Sequence, residues 1–246
     1  MRKLVYGTLL VALSVGLARP GDLQAQRVPS PYRFIEPKQD LGLSFSYVWA
    51  DAGKAGMGPK AGPAVGVRWT RRVSRPLSLT PEVVFFHSER DVIDPSLEEG
   101  QEDRGNGSAI VGTHGLDILL VAGRINLNLT GSRTWHNFVP YLLGGIGVAI
   151  EVSGATSCLP ESTAPDCQIR ARERFDFGSS LLLQFGLGTV WIPRQRLSLR
   201  IEGLDRIWRI KTPPGYYEPG ITIFPIPQAT DWTNNWEIGL TLSYWF

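Results

Sequence analysis

The last eleven residues of the chain, 236–246, alternate strictly between apolar side chains and polar or small ones. Successive side chains of an extended strand point to opposite faces, so a period of two predicts a β-strand with one apolar face. About 9 to 11 tilted residues of this kind cross a bilayer as one strand of a closed barrel. The pattern predicts a lipid face of Trp236, Ile238, Leu240, Leu242, Tyr244 and Phe246, and an inner face of Asn235, Glu237, Gly239, Thr241 and Ser243.

The opposite end of the chain carries an export signal. Met1-Arg-Lys precedes an apolar stretch from Leu4 to Leu17, and small and polar residues follow it. This order indicates a secretory signal peptide over residues 1–25, and cleavage after Ala18 is the alternative to cleavage after Ala25. An apolar stretch of this length is shorter than the roughly 20 residues that a spanning helix needs.

The remaining chain divides into a lead-in and a barrel. Residues 26–38 contain three prolines and no alternation, which predicts a short periplasmic lead-in. Residues 39–246 contain seven further segments with alternating polarity. These segments are Asp40–Trp49, Pro63–Thr70, Leu77–Ser88, Leu116–Leu129, Val139–Val152, Phe177–Trp191 and Leu197–Glu202.

The connections between these segments alternate between long and short. An up-and-down barrel with both termini in the periplasm has this arrangement, with short turns on the periplasmic side. We therefore predict an all-β fold, a closed antiparallel barrel of eight strands. In this prediction Ile207–Lys211 and Ile221–Phe224 form a hairpin that rises above the membrane, because each has half the length of a crossing. A barrel of ten strands, in which they would be wall strands, is the alternative.

Two irregularities are expected within the strands. In the fourth strand the apolar positions change phase between Leu120 and Ile125, which predicts a bulge near Ala122-Gly123 that keeps Asp117 and Arg124 on the inner face. In the third strand Pro81 cannot donate to a neighbouring strand and predicts a local defect.

Several short motifs are similar to those of a known family. They are Leu77-Ser-Leu-Thr-Pro-Glu82, Leu116-Asp-Ile118, Pro140-Tyr141 followed by Gly144-Gly145 and Gly147, and the final Phe246. With these motifs the chain resembles the small eight-stranded outer-membrane barrels, the OmpA transmembrane-domain, OmpX and opacity-protein group. The resemblance implies location in the cell outer membrane, contact with outer-membrane lipids and lipopolysaccharide, and recognition of Phe246 by the barrel-assembly machinery.

Charged residues on the predicted inner faces form the strongest candidate site. They are Arg68, Glu82, Asp117, Arg124, Glu151, Arg200, Glu202 and Glu237. An eight-stranded barrel is just wide enough for side chains to fill it, so we expect these groups to neutralise one another and fill the lumen. The alternative is a proton or ion path, or a pair of carboxylates that performs acid–base chemistry.

A hydrolase is the second functional hypothesis. His87, Ser88 and Glu89 are consecutive, and some small outer-membrane barrels are lipid A deacylases that use such groups. Neighbouring strand residues point to opposite faces, so His87 cannot serve Ser88 as a base, and only His114 could approach it. His136 lies in a predicted turn. A third hypothesis is a conduit for small hydrophobic molecules that opens through the barrel wall.

The loops carry the remaining signals. Cys158 and Cys167 are predicted to form a disulfide, since the chain is exported. The segment Glu89–Thr113 holds seven acidic and two basic residues, whereas Arg71, Arg72, Arg75, Arg133, Arg194 and Arg196 fall at the short turns. These charges are either solvated ends of the barrel or contacts to the membrane. In the second case the acidic segment meets divalent cations on lipopolysaccharide, and the arginines meet anionic headgroups. Interfacial girdles are predicted from Trp49, Trp69, Trp191, Trp236 and Tyr244.

These observations predict a monomeric barrel with a structural or surface-interaction role and without enzyme activity. The net charge of +2 gives no support to a nucleic-acid partner, and the sequence contains no phosphate loop and no His/Cys cluster with metal-ligand spacing. We therefore expect no cofactor and no metal. The long loops are the expected recognition surface for an extracellular ligand that the sequence does not identify.

Overall fold

The alternating segments form long antiparallel strands in the computed structural model, which describes residues 32–34, 38–95, 109–153, 158, 163–194, 196–217 and 229–246. The predictions for residues 1–31, including the signal peptide, lie outside this range. The elements in chain order are β1 (Tyr32–Phe34), β2 (Gln39–Trp49), β3 (Gly62–Arg72), β4 (Leu77–Asp94), β5 (Ala109–Asn128), β6 (Arg133–Trp135), β7 (Phe138–Glu151), α1 (Pro165–Gln168), β8 (Ser179–Arg194), β9 (Leu197–Lys211), a 3₁₀ turn (Pro214–Tyr217) and β10 (Thr230–Trp245).

Eight of these strands close into a barrel. Each strand pairs with its neighbours in the order β7, β5, β4, β3, β2, β10, β9, β8, and β8 returns to β7. The first and last long strands meet over ten residue pairs, from Trp236 opposite Trp49 to Trp245 opposite Asp40. Closure pairs the backbone groups of every wall strand, which hydrocarbon requires because it offers no water to an open edge. The predicted eight-stranded up-and-down barrel is confirmed.

Four strands extend well beyond their sequence patterns, and one of them is β10, which begins at Thr230 although its pattern begins near Trp236. β4 continues to Asp94 and β5 begins at Ala109, so much of the predicted Glu89–Thr113 loop is a hairpin. β9 continues to Lys211, so Ile207–Lys211 is part of a wall strand, and both the predicted hairpin and the ten-stranded alternative are wrong for this segment. Its expected partner Ile221–Phe224 lies outside the described residues. Among the described residues, no helix has the length and apolarity that crossing a membrane requires.

The predicted bulge in the fourth strand is wrong. The β4–β5 register runs without a shift from Leu77 opposite Leu127 to Val92 opposite Gly112, and the one irregularity follows Val92. Leu116, Ile118 and Leu120 therefore lie on the same face as Arg124 and are fully buried inside the barrel. The phase change arises because the interior is apolar towards the long loops and polar in the middle of the barrel. The prediction of a bulge treats the whole interior as polar.

The remaining local features lie at the end of the barrel with the short turns. The β3–β4 pairing is interrupted between Arg68 opposite Glu82 and Arg71 opposite Leu79, next to Pro81, which has no N–H to donate. Within the predicted lead-in, β1 pairs with β6. The β6–β7 turn that follows places His136 and Asn137 at positive φ, where Asn is better tolerated than most residues.

The outer surface of the barrel is an apolar belt. On β10, Ile238, Leu240 and Leu242 are 59%, 49% and 58% exposed, whereas the alternate residues are buried. Aromatic residues border the belt, with Trp49 opposite Trp236 at the long-loop end. Trp69, Trp191 and Tyr244 are exposed at the short-turn end. The two girdles are about 26 Å apart along β10 at roughly 3.3 Å per residue, which is about 20 Å along the barrel axis at a strand tilt of about 40° and is comparable with the apolar band of such barrels.

Candidate functional site: the charged barrel interior

The middle of the barrel contains a network of buried arginines and carboxylates. Inner positions of β3, β5 and β9 supply Arg68, Arg124 and Arg206, and those of β4, β9 and β10 supply Glu82, Glu202 and Glu237. All six side chains are at most 4% exposed. They face inward because the period of two that sends apolar residues to lipid sends the alternate residues to the lumen.

Glu202 lies at the centre of this network. Arg68 Nη1 and Arg124 Nη2 each donate to one of its oxygens at 2.7 Å. The hydroxyl of Tyr141, on β7, donates to the same carboxylate. Three donors from three other strands thus converge on one side chain of β9, so a single carboxylate ties together strands on several sides of the barrel.

Arg206 connects opposite walls of the barrel. Its Nη1 lies 3.2 Å from Glu82 Oε1 and 2.8 Å from Gln184 Oε1, and its Nε donates to Glu237. β9 and β4 are four strands apart in either direction around the closed sheet. A direct ion pair between them crosses the full width of the lumen.

A second ion pair lies closer to the short-turn end. Arg200 on β9 donates to Asp40 at the start of β2, and both side chains are buried. Together with the central network this gives four arginines and four carboxylates. Buried charges are tolerated when they are paired and hydrogen-bonded, and the balanced count meets that requirement.

The structure brings together six of the eight interior charges proposed from the sequence. Asp117 faces outward, because β5 has no bulge, and its carboxylate lies 2.6 Å from His87 Nδ1. Glu151 lies at the long-loop rim, where it accepts the backbone N–H of Phe177 at 3.0 Å. The charges proposed from the sequence did not include Asp40 and Arg206, or their polar neighbours Tyr141 and Gln184. Arg206 was left out because the seventh predicted strand ends at Glu202. The alternation continues through inner positions 204, 206 and 208, which would have revealed it.

Apolar side chains fill the barrel above the charged network. Residues of the wall strands, including Phe86, Leu120 and Trp208, pack in one buried cluster with residues from the segments that connect the strands. Met57 precedes β3, Phe175 and Phe177 precede β8, and Tyr216 follows β9. The connecting segments therefore fold inward over the mouth of the barrel.

Polar contacts hold these segments at the mouth. Arg90 Nη2, on β4, lies 2.8 Å from both carboxylate oxygens of Asp166 in α1, and its guanidinium lies 5.4 Å from the ring centroid of Phe175. His114 Nδ1 lies 3.5 Å from the same carboxylate. The predicted disulfide between Cys158 and Cys167 is present next to Asp166.

Tyr216 joins the segment between β9 and β10 to the β4–β5 hairpin. Its hydroxyl donates to the backbone carbonyl of Ile93 at 2.8 Å. Burial raises the pKa of this phenol, and the nearby carboxylates of Glu173 and Asp94 raise the same pKa further. The neutral hydroxyl is therefore the form that the folded mouth stabilises.

The residues of the hydrolase hypothesis lie on two different faces. His87 is exposed on the outer face beside Asp117. Ser88 is 2% exposed, and its hydroxyl donates to the backbone carbonyl of Lys60 at 2.7 Å. His114 lies beside Asp166, as described above. Adjacent strand positions thus separate His87 from Ser88, as the strand geometry requires.

No protein-family model matches the chain, and no curated protein matches it. Among solved structures, the chain is similar to Neisserial surface protein A, with 9% identity and a TM-score of 0.48 over 85% of this chain and 97% of that one. It is also similar to the outer-membrane protein OprG from Pseudomonas aeruginosa, with 14% identity and a TM-score of 0.49 over 86% of this chain and 97% of that one. At these identities the similarity concerns the fold alone.

The architecture confirms the predicted type of barrel. The sheet is closed, it has eight strands, its apolar residues face outward and its charged residues face inward. In hydrocarbon, closed barrels and helices are the viable spanning structures, because each satisfies its own backbone groups. The chain is an eight-stranded barrel of the outer-membrane type.

Proposed function

We propose that this outer-membrane barrel is a closed, structural protein that interacts with its surroundings through its lipid-facing wall and its extracellular loops, and that it neither conducts solutes nor catalyses a reaction. The observation that carries the proposal is the 3.2 Å ion pair between Arg206 and Glu82 on opposite walls. A side-chain contact across the full lumen leaves no room at that level for a hydrated ion.

Closure of the lumen has a second support at the outer end. Phe175, Phe177 and Tyr216 belong to connecting segments and pack against the inward apolar side chains. A solute entering from outside would have to displace this cluster before it met the charged network. Displacing buried aromatic side chains costs several kcal/mol, since each contributes roughly 1.5 to 3 kcal/mol of burial free energy.

A role without catalysis is supported by where the polar residues lie. Acyl hydrolysis needs a nucleophile within hydrogen-bond reach of its base. Ser88 instead donates to a backbone carbonyl inside the barrel, and His87 lies outside it beside Asp117. His114 shares the inner face with Ser88, but its Nδ1 contacts Asp166 and the hydroxyl of Ser88 is directed to Lys60. A conduit for hydrophobic molecules would need a continuous apolar lumen, and the buried ion pairs of the middle section oppose it.

The proposed partners follow from the outer surface. The apolar belt contacts the acyl chains of outer-membrane lipids. Glu89, Asp91 and Asp94 extend above the belt on β4 and begin the acidic segment, which would meet lipopolysaccharide through bridging divalent cations. We further propose that the barrel is a monomer and that the barrel-assembly machinery recognises its C-terminal strand.

Conductance in planar bilayers tests the closed lumen. We expect no current steps from the wild-type protein. The double variant Arg206→Ala and Glu82→Ala removes both groups that bridge the walls but leaves the apolar cluster at the mouth in place, so it should show at most small steps. Stable steps in the wild-type protein would overturn the proposal, and heat-shifted electrophoretic mobility would verify that the variant is a folded barrel.

The surface role has a separate test. Thermal unfolding is compared in vesicles of phospholipid alone and in vesicles with lipopolysaccharide and Mg²⁺. We expect stabilisation by lipopolysaccharide that is lost when the acidic residues of the segment 89–103 are changed to their amides. Equal stabilisation of both proteins would contradict a role of the acidic segment. Release of fatty acid from lipopolysaccharide in the same vesicles would favour the hydrolase alternative.

A further inference from the structure

One carboxylate faces the membrane at the outer edge of the apolar belt. Asp205 is an outward residue of β9, and the residues opposite it on the adjacent strands are Phe185 on β8 and Trp236 on β10. These two aromatic side chains are 55% and 62% exposed on the outer wall. Because Trp236 belongs to the girdle at the long-loop end, Asp205 lies where acyl chains give way to headgroups.

Within the described part of the chain, this carboxylate has no cationic partner. Its Oδ1 accepts the backbone N–H of Asn235 at 2.9 Å, and Asp205 forms no ion pair there. An ionisable group beside hydrocarbon loses hydration, so such groups are rare on a lipid-facing wall and mark functional positions. The second oxygen of Asp205 is therefore available to a donor on a membrane lipid.

The outer face of β9 is basic above Asp205. Arg209 and Lys211 are exposed outward residues, and Arg209 lies opposite Trp232, which is 51% exposed. Among the described residues neither base forms an ion pair. Arg209 is four residues from Asp205, about 13 Å along the strand and about 10 Å in height at a tilt of about 40°. The two bases thus lie at the level of headgroup phosphates.

Below Asp205 the outer wall has a notch. Gly203 is the preceding outward residue of β9, and a β-carbon placed on it would have no atom within 4 Å. Leu187 and Ile238, opposite it on the adjacent strands, are 64% and 59% exposed. The strands that carry these two side chains are about 10 Å apart, which leaves space for one acyl chain over the bare backbone.

We propose that this face of β9 binds one molecule of lipid A, the membrane anchor of lipopolysaccharide. Lipid A is a phosphorylated glucosamine disaccharide whose acyl chains include amide-linked ones and carry hydroxyl groups close to the sugar. The notch at Gly203 holds an acyl chain, and Asp205 accepts a hydrogen bond from an amide or hydroxyl group. Arg209 and Lys211 bind a phosphate. The inference rests on the proposed function, which surrounds the barrel with lipopolysaccharide, and it names the strand and the lipid groups that meet.

A glycerophospholipid and the opposite wall both lack this combination of groups. Glycerophospholipids attach their chains through esters, which accept hydrogen bonds but donate none, so they offer nothing to a carboxylate at this depth. On the opposite wall, Asp117 is already paired with His87, and the exposed side chain above them is the acidic Glu89. An unpaired acid below two bases is the arrangement of β9, and it matches a lipid with donors below a phosphate.

Lipid binding is measured by native mass spectrometry of the refolded full barrel, titrated in detergent micelles that contain EDTA. Chelation removes the divalent cations through which the acidic segment would act. The probes are bis-phosphorylated lipid A and phosphatidic acid, which has a phosphate and acyl chains but no amide or hydroxyl donor beside them. The variants are Asp205→Asn and Arg209→Gln, and heat-shifted electrophoretic mobility verifies that each is a folded barrel.

The variant Asp205→Asn separates the proposal from general electrostatics. Removal of a negative charge should by simple attraction strengthen the binding of every anionic lipid. We expect instead that lipid A binds about fivefold to tenfold more weakly, because a charge-assisted hydrogen bond is lost, and that phosphatidic acid binds no more weakly. Glu89→Gln removes the same charge from the opposite wall and should not weaken lipid A binding. Unchanged or tighter lipid A binding by Asp205→Asn overturns the proposal, as does equal weakening for both lipids.

The variant Arg209→Gln tests the phosphate end of the site. It should weaken both lipids by about tenfold, since both carry a phosphate. Arg71→Gln removes an exposed arginine from the outer face at the short-turn end and should change either affinity by less than about twofold. Equal effects of the two variants would overturn the site. If these tests fail while the wild-type protein still binds lipopolysaccharide with Mg²⁺ present, the inference is refuted and the proposed surface role is not; absence of lipopolysaccharide binding under both conditions refutes both.

Discussion

Arg206 and Glu82 are 124 residues apart in the chain and form an ion pair across the whole lumen, between strands on opposite sides of the barrel. This pair is one edge of a larger network in which Glu202 accepts from Arg68, Arg124 and Tyr141. The interior of this barrel is thus held by electrostatic contacts in its middle and by apolar packing towards the long loops.

Removing the central carboxylate should be costly. After Glu202→Gln, Arg68 and Arg124 share Glu82, which lies 4.0 and 3.4 Å from them, and the central network keeps one buried positive charge in excess. We expect the free energy of unfolding to fall by about 3 to 5 kcal/mol. Urea-induced unfolding in lipid vesicles measures the change. Glu89→Gln removes an equal charge from the exposed face of β4 and should change the stability by less than about 0.5 kcal/mol. A similar loss in both variants would contradict the network's role.

The apolar belt predicts that the cost of a charged residue on β10 depends on its depth in the membrane. Leu240 lies midway between the girdle residues Trp236 and Tyr244, and Leu240→Arg places a charge at the centre of the bilayer. We expect a loss of about 2 to 4 kcal/mol in the free energy of unfolding from the membrane. Asn234→Arg, which changes an outward position on the same strand beyond Trp236, should cost about 0 to 1 kcal/mol. A cost of equal size at both positions would mean that the belt is misplaced.

Tyr216 predicts a loss of stability at high pH. Its pKa is raised in the folded protein, mainly by burial, so the folded state holds the phenol proton at a pH where the unfolded chain loses it. The contribution is fully present below about pH 10, the ordinary tyrosine value, and declines above it. Tyr216→Phe should flatten this part of the stability curve, measured as melting temperature between about pH 8 and 11. An unchanged slope would contradict the assignment.

The disulfide predicts a redox effect confined to the mouth. Cys158 and Cys167 should resist alkylation in the native protein, and both should react after reduction. Closure of a loop of nine residues restricts the open segment by roughly 2 to 3 kcal/mol of chain entropy. We expect reduction to speed proteolysis near α1 and to leave the barrel resistant, as followed by mass spectrometry. Cleavage within the wall strands would argue against a local effect.

The strand pattern shows how far local sequence determines this fold. Along β10 the predicted outer and inner faces agree with the observed exposure, because one face of the strand touches acyl chains and the other does not. Eight such strands must close, since an open edge cannot be satisfied in hydrocarbon. The number of strands, their direction, the positions of the girdles and the disulfide were all predictable from this rule and from cysteine usage.

The pattern failed where the interior stopped being polar. Polarity alone places Leu116, Ile118 and Leu120 on the lipid face and then requires a bulge before Arg124, but the strand register has none there. A leucine is equally suited to lipid and to an apolar core, so polarity alone does not distinguish the two sides of such a strand. Only the packing of these residues against Phe86 and Trp208 decided the face.

The sequence by itself determined that this chain forms a closed barrel with an apolar outside and charges inside, because a period of two and the demands of a bilayer act residue by residue. Which charges meet was decided by the tertiary structure. Arg206 pairs with Glu82 and Arg200 with Asp40 because of the strand register and the width of the lumen. Asp117 pairs with His87 because the register places them opposite each other on the outer face. These are distances between segments far apart in the chain, and local polarity does not contain them.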